Sequence, residues 1–162
     1  MTLSAEHTLT AELGAKADRH LWGHFARHGR GITPPIIARG EGVHIWDSTG
    51  KRYIDGLSGL FTCQVGHGRR ELAEAAAKQA QTLEFFPLWS YATEPAIELA
   101  ERLARMTELD QVFFCNSGAE SVEAAIKLAR RHGGEVGGPD KHEIVCLEGA
   151  FHGRTFAALQ AT

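Results

Sequence analysis

Cysteine is scarce. The 162 residues hold three, Cys63, Cys115 and Cys146, with no C-x-x-C pair among them. That spacing and odd count exclude a disulfide framework and a zinc ribbon. No apolar run approaches the length of a bilayer span. The opening ten residues, Met1 to Thr10, are polar and lack the apolar centre of a signal peptide, so the expected location is the cytoplasm and no membrane partner is expected. Neither G-x-x-x-x-G-K-[ST] nor G-x-G-x-x-G after a strand is present, which leaves a nucleotide-binding module as the weakest of the readings weighed. Internal repeats and low-complexity tracts are also lacking. The formal net charge is only -3, so nothing points to nucleic acid as a partner.

What is present is an ordinary globular balance. Hydrophobic residues make up 43% and charged residues 23% of a chain long enough for one domain. Thr10 to about Arg27 predicts a helix with Leu13, Ala17, Leu21 and Phe25 on one stripe, ended by Gly29, Gly31 and Pro34-Pro35. Three short strands then alternate with turn residues: Ile36–Arg39, Val43–Trp46 and Lys51–Asp55, the spacing of a small antiparallel meander. A second helix is expected over Arg69–Leu83. An aromatic loop, Phe85 to Tyr91, separates it from a third, with Thr93 as its cap and Pro95 in its first turn.

The next part reads as α/β. Gln111–Cys115 and Glu143–Leu147 are short apolar runs expected as buried parallel strands, and Cys115 and Cys146 look like small core residues within them. A helix from about Ala119 to Arg131 lies between, followed by a loop marked by Gly133-Gly134 and Gly137-Gly138-Pro139. A further helix starts near the end of the chain.

Asn116-Ser117-Gly118-Ala119-Glu120 joins the first apolar run to its helix. The first amides of a helix have no partner within it and its dipole is positive there. Glycine admits a ligand close to the backbone. The segment therefore suits a phosphate at the carboxyl end of a parallel strand. The alternative is a serine N-cap with a glycine kept for packing. Phe151-His152-Gly153 follows the second run. If both runs are parallel in one sheet, both turns emerge at one edge, and Phe151 can lie over a flat heteroaromatic ring. The alternative is a loop aromatic folded back on the core. Together the turns imply a phosphorylated aromatic cofactor.

In order and spacing, Gly40-Glu41-Gly42-Val43-His44-Ile45-Trp46-Asp47, Asp55-Gly56-Leu57-Ser58-Gly59-Leu60, Val65-Gly66-His67-Gly68, Phe114 to Glu120 with Glu123 and Lys127, and Phe151-His152-Gly153-Arg154-Thr155 resemble the class III aminotransferases. These are pyridoxal-phosphate (PLP) enzymes of fold type I, and the Leu60-Phe61 pair and the aromatic loop are most similar to the omega-transaminase, beta-alanine–pyruvate branch. The resemblance implies the N-terminal part of an α-β-α layered fold: residues 1–56 as helix and meander of a small domain, and 57–162 as the start of the large, PLP-binding domain. It implies that Ser117, Gly118 and Ala119 hold the cofactor phosphate, that Phe151 stacks on its ring with His152 beside it, and that Leu60 and Phe61 line the substrate pocket. Phe86 and Trp89 would reach the site of a second subunit in a homodimer. The implied reaction is amino transfer from an amine or amino acid to a keto acid such as pyruvate.

Several residues depart from the family. Ala119 replaces a common hydroxyl residue, Phe151 a frequent tyrosine and Phe61 a common tryptophan, and the Thr107–Asp110 connection is short. The resemblance places the Schiff-base lysine, and the aspartate that pairs with the pyridine nitrogen, beyond Thr162. Lys16, Lys51, Lys78, Lys127 and Lys141 offer no substitute, so no catalytic residue is expected in these 162 and the chain alone is expected to be inactive. A non-catalytic fragment that binds phosphate or dimerises is the alternative from another class. A decarboxylase or aminomutase is the alternative within the family.

No metal site is expected. His20, His24 and His28 recur every four residues but lack a carboxylate or cysteine partner, and they read as a polar helix face. Cys63 and His67 share the spacing, but Val65-Gly66 between them reads as loop. Arg69-Arg70 and Arg130-Arg131 read as solvated helix ends.

Overall fold

The computed structural model describes residues 3–24 and 34–162, with side chains from Thr10 onward. Phe25, Arg27, His28, Gly29 and Gly31, named above for the end of the first helix and the histidine row, lie outside the described residues. The chain divides into two compact units, Met1–Phe85 and Phe86–Thr162.

In the first unit, helix α1 spans Leu3–His20. It starts earlier than its apolar stripe suggests, and basic Arg19 and His20 in its last turn suit the negative end of the helix dipole. The meander forms as expected. Strands β1 (Ile37–Glu41), β2 (His44–Asp47) and β3 (Arg52–Ile54) pair antiparallel in the order β1-β2-β3. Ile45 faces Tyr53 and Trp46 faces Arg52 across the β2–β3 pair. The Arg39 guanidinium lies 3.7 Å from the centroid of the Trp46 ring, a cation–π contact across β1 and β2.

Asp47 ends β2 and organises its turn. One carboxylate oxygen accepts from the Thr49 hydroxyl (2.6 Å), the Thr49 amide (2.9 Å) and the Lys51 amide (3.1 Å); the other accepts from the Tyr53 hydroxyl (2.7 Å). These bonds, the Thr49 and Tyr53 hydroxyls first, hold its carboxyl down from 3.8 to about 2.

Helix α2, Ser58–Phe61, is unusual. Ser58, Gly59, Leu60 and Phe61 all have positive φ (49°, 59°, 59° and 66°), a turn of left-handed helix. For an L-residue that hand costs roughly 1–2 kcal/mol. Three of the four are not glycine, so the surroundings must hold the turn in place. Helix α3 follows at Arg70–Thr82, close to the range the sequence suggests.

The second unit holds α4 (Glu94–Thr107), α5 (Gly118–Gly137) and α6 (Phe156–Gln160). Thr93 is the N-cap residue of α4 and Pro95 lies in its first turn, but the threonine side chain makes no capping bond. Two expectations are corrected here. Helix α5 runs on through Gly133, Gly134 and Gly137, where the glycines suggest a loop. Gly133 is buried, and the Lys141 carbonyl oxygen passes 2.6 Å from where a Cβ would stand, so close packing outweighs glycine's poor helix propensity.

The second correction concerns the apolar runs. Gln111–Cys115 and Glu143–Leu147 belong to no strand, and the meander is the only sheet among the described residues. Phe113, Val145 and Leu147 are 81%, 97% and 81% exposed, and Cys146 is exposed while Cys115 is half-buried. A parallel strand is stable only with neighbours at its edges and cover on its faces. Neither run supplies these to the other. The only buried hydrophobic residues among those described are Ala158 and Ala161. None of the described helices is long and apolar enough to cross a membrane.

Because the folded Asp47 carboxyl titrates below its unfolded value, the stability it contributes is complete above about pH 4 and is lost as pH falls toward 2. Thermal melts between pH 5 and pH 2 are expected to show this loss, and Asp47→Asn is expected to flatten that part of the profile while lowering the melting temperature at neutral pH.

Candidate functional site

The site in the second unit is built on the N-terminus of α5. Ser117 is its N-cap, with extended backbone (φ -150°, ψ 161°), and its Oγ accepts from the Glu120 amide at 3.2 Å. Glu120 reaches back in turn, its Oε2 accepting from the Asn116 amide at 2.8 Å. This is a close variant of the capping box, shifted by one amide. It fixes the direction in which the chain enters the helix. The Ser117 hydroxyl proton remains to be donated outward, because the bond to Glu120 uses a lone pair. Gly118 and Ala119 are the first helical residues, whose amides have no carbonyl within the helix to bond.

Apart from its chain neighbours and the backbone of its own helix, no atom comes within 4 Å of where a Cβ on Gly118 would stand. Two backbone amides, one hydroxyl and the positive end of a 20-residue helix therefore meet at this turn. That donor set suits a phosphate group, which offers only acceptors.

The Phe151-His152-Gly153 turn meets the same place. Gly153 is buried with φ 135°. A Cβ there would stand 2.7 Å from the Ala119 Cβ, 2.9 Å from its Cα and 3.1 Å from the Ala158 Cβ. The two turns thus touch backbone to side chain, and only glycine fits between them. Glu123, one turn further along α5, fixes the contact. Its Oε1 accepts from the Ala157 and Ala158 amides at 2.9 and 3.3 Å, which ties the start of α6 to α5. Its carboxyl is held below the ordinary range, chiefly by the Thr155 side chain and with smaller help from these amides, against an opposing effect of burial. The His152 amide donates to the Thr162 hydroxyl at 3.2 Å, and that hydroxyl donates to the Ala158 carbonyl at 3.0 Å. Phe151 remains 67% exposed, so its ring is not folded into a core.

The structure therefore brings Ser117, Gly118 and Ala119 together with the turn that carries Phe151 and His152. The other residues singled out by sequence are described unit by unit. Leu60 and Phe61 lie on the left-handed turn α2 of the first unit, both exposed. Phe86 and Trp89 belong to the second unit. Phe86 packs edge-on against Tyr91 with ring centroids 4.9 Å apart, and Trp89 is 95% exposed. The His67 ring is engaged with Asp55 at 2.7 Å. No group of three His, Cys, Asp or Glu residues able to hold a metal occurs among the described residues. Sequence reading missed the part played by Glu123, although it lies one helical turn from Ala119 and so had to share its face.

The chain is similar to known proteins over most of its length. The model of the family "Aminotransferase class-III" matches residues 25–162. A probable aminotransferase of Mycobacterium tuberculosis is 55% identical over 155 residues, which are 94% of this chain and 33% of that protein. The acetylornithine aminotransferase of Gloeobacter violaceus is 46% identical over 78% of this chain and 32% of its own length. Among solved structures, an (S)-enantioselective omega-transaminase from Thermomicrobium roseum superposes with a TM-score of 0.89 at 44% identity, covering 94% of this chain and 35% of that one. The chain belongs to the class III aminotransferases, a PLP-dependent family, and has the fold of the matching part of these transaminases. It spans about a third of the length of the relatives it matches.

Ser117→Ala removes the capping oxygen and is expected to lower stability by about 1 kcal/mol, whereas Ser117→Gly is expected to cost only a few tenths. Urea unfolding followed by far-UV circular dichroism measures both. No loss in Ser117→Ala would show that the capping oxygen is not what stabilises the turn.

Proposed function

We propose that this chain forms the phosphate-holding and ring-covering part of a PLP-dependent aminotransferase, which passes an amino group from an amine or amino acid to a keto acid such as pyruvate. The observation that carries the reading is the contact of Gly153 with Ala119, which joins the two turns. The Gly118 and Ala119 amides and the Ser117 hydroxyl hold the phosphate. Phe151 covers one face of the pyridine ring, and His152 fixes the loop beside it. Because Ala119 has no hydroxyl, backbone amides carry most of the phosphate binding. Bound there, PLP supplies an electron sink and a carrier for the amino group.

Leu60 and Phe61 line the pocket for the amino donor, and Phe61, smaller than tryptophan, widens it. Phe86 and the almost fully exposed Trp89 reach the site of a second copy in a homodimer; their exposure supports this, since a large exposed aromatic surface marks an interface. Residues 1–56 belong to the small domain and 57–162 to the large one. The exposed runs around Phe113 and Val145 become strands of a parallel sheet only in the whole protein, where other segments pair with them; their exposure supports this. The omega-transaminase branch is favoured by the superposition on the Thermomicrobium roseum enzyme. The protein works in the cytoplasm.

None of the five lysines of the chain is proposed as the Schiff-base lysine. Turnover is accordingly a property of the whole protein. With PLP, an amine donor and pyruvate, the whole protein is expected to form alanine, detected by chromatography, and the 162-residue chain alone is expected to form none. Release of carbon dioxide from an amino acid without alanine formation would identify a decarboxylase instead. Alanine formation by the chain alone would contradict the account of the lysine.

A further inference from the structure

The left-handed turn of Ser58–Phe61 is an unfavourable arrangement for three side-chain-bearing residues. Local bonds close its exit: the Phe61 amide donates to the Leu57 carbonyl and the Cys63 amide to the Ser58 carbonyl (both 2.8 Å), the Thr62 hydroxyl to the Gly59 carbonyl (2.7 Å) and the Gln64 side-chain amide to the Phe61 carbonyl (2.6 Å). Its entry is anchored by one pair. Asp55, just after β3, has its side chain 12% exposed. Its Oδ1 accepts from the Leu57 amide at 3.2 Å and its Oδ2 from the Gly59 amide at 2.7 Å, so the carboxylate spans the entry to the turn. His67 Nε2 meets the same Oδ2 at 2.7 Å. The His67 backbone is fixed separately. Its amide donates to the Gly42 carbonyl at 2.8 Å and its carbonyl accepts from the Gly42 amide at 3.0 Å, an isolated bridge to the β1–β2 turn. β1 also passes directly over the imidazole: a Cβ on Gly40 would stand 2.7 Å from the His67 Cβ and Cγ. The meander thus locks His67, His67 locks the carboxylate of Asp55, and Asp55 anchors the entry of the turn that carries Leu60 and Phe61.

We infer that Asp55 and His67 are positioning residues for donor specificity: their pairing holds the left-handed turn that presents Leu60 and Phe61 as one wall of the donor pocket. The inference rests on the proposed role of Leu60 and Phe61 as that wall. Neither Asp55 nor His67 need touch the substrate. Without the pair, the turn relaxes toward ordinary backbone angles and the two side chains change direction together.

The test uses the whole protein with one fixed keto acid acceptor. It reads the ratio of kcat/KM for an aryl-substituted amine to that for a small aliphatic amine. Leu60→Ala is expected to change this ratio. His67→Ala is expected to change it by about fivefold or more, the loss of one net hydrogen bond, while His67→Gln, whose amide still reaches Asp55, restores it to within about twofold. Should His67→Ala fail to fold by circular dichroism, Asp55→Asn is read in its place. A ratio unmoved by Leu60→Ala overturns the pocket role of the turn. A ratio moved by Leu60→Ala but unmoved by His67→Ala, or by Asp55→Asn standing in for it, overturns the inference alone. A loss that His67→Gln does not rescue also overturns it, because the bond to Asp55 is then not what matters.

Discussion

The contact between Gly153 and Ala119 is the constraint from which the rest of the second unit follows. Two segments more than thirty residues apart in sequence meet where a single methyl group would collide. The contact alone is weak. Glu123 makes it stand by accepting two amides at the start of α6, which would otherwise lack partners at a helix end. A carboxylate at that position also meets the positive end of α6. One residue of α5 thus fixes the loop that follows Phe151 and His152.

The first unit rests on a different device. Its meander is small and little buried, and three strands of that length do not form a core by themselves. Polar anchoring replaces packing. Asp47 satisfies four donors at the β2–β3 turn, and Asp55 gathers two amides and an imidazole at the exit from β3. Both carboxyls are held below their ordinary range by those bonds, Asp55 chiefly by His67. Local stiffness in this unit comes from directed bonds to backbone rather than from apolar burial.

Much of this was legible in the sequence because it is local. Alternation and turn residues between Ile36 and Asp55 specify a meander, and Ser117 with Gly118 ahead of an apolar-periodic stretch suits a helix start. The pairing of the two turns was legible only through their order after two apolar runs. Those runs are not strands here, because a parallel sheet is a non-local object and its bonds come from other segments. Gly133-Gly134 read as a breaker because propensity is local, whereas the close passage of the Lys141 carbonyl is not. The left-handed turn escaped entirely: Leu60 and Phe61 carry no signal for positive φ, and the groups that anchor its entry, Asp55 and His67, are twelve residues apart.

The central claim is that the α5 amides beside the Phe151 turn grip the phosphate of PLP. Amide chemical shifts of the labelled chain, recorded during titration with PLP and separately with pyridoxal, which lacks the phosphate, test it most directly. The account predicts that PLP shifts the Gly118, Ala119 and Gly153 amides most, and that pyridoxal leaves the first two unmoved. Equal shifts with both compounds, or PLP shifts confined to residues away from these turns, would contradict it.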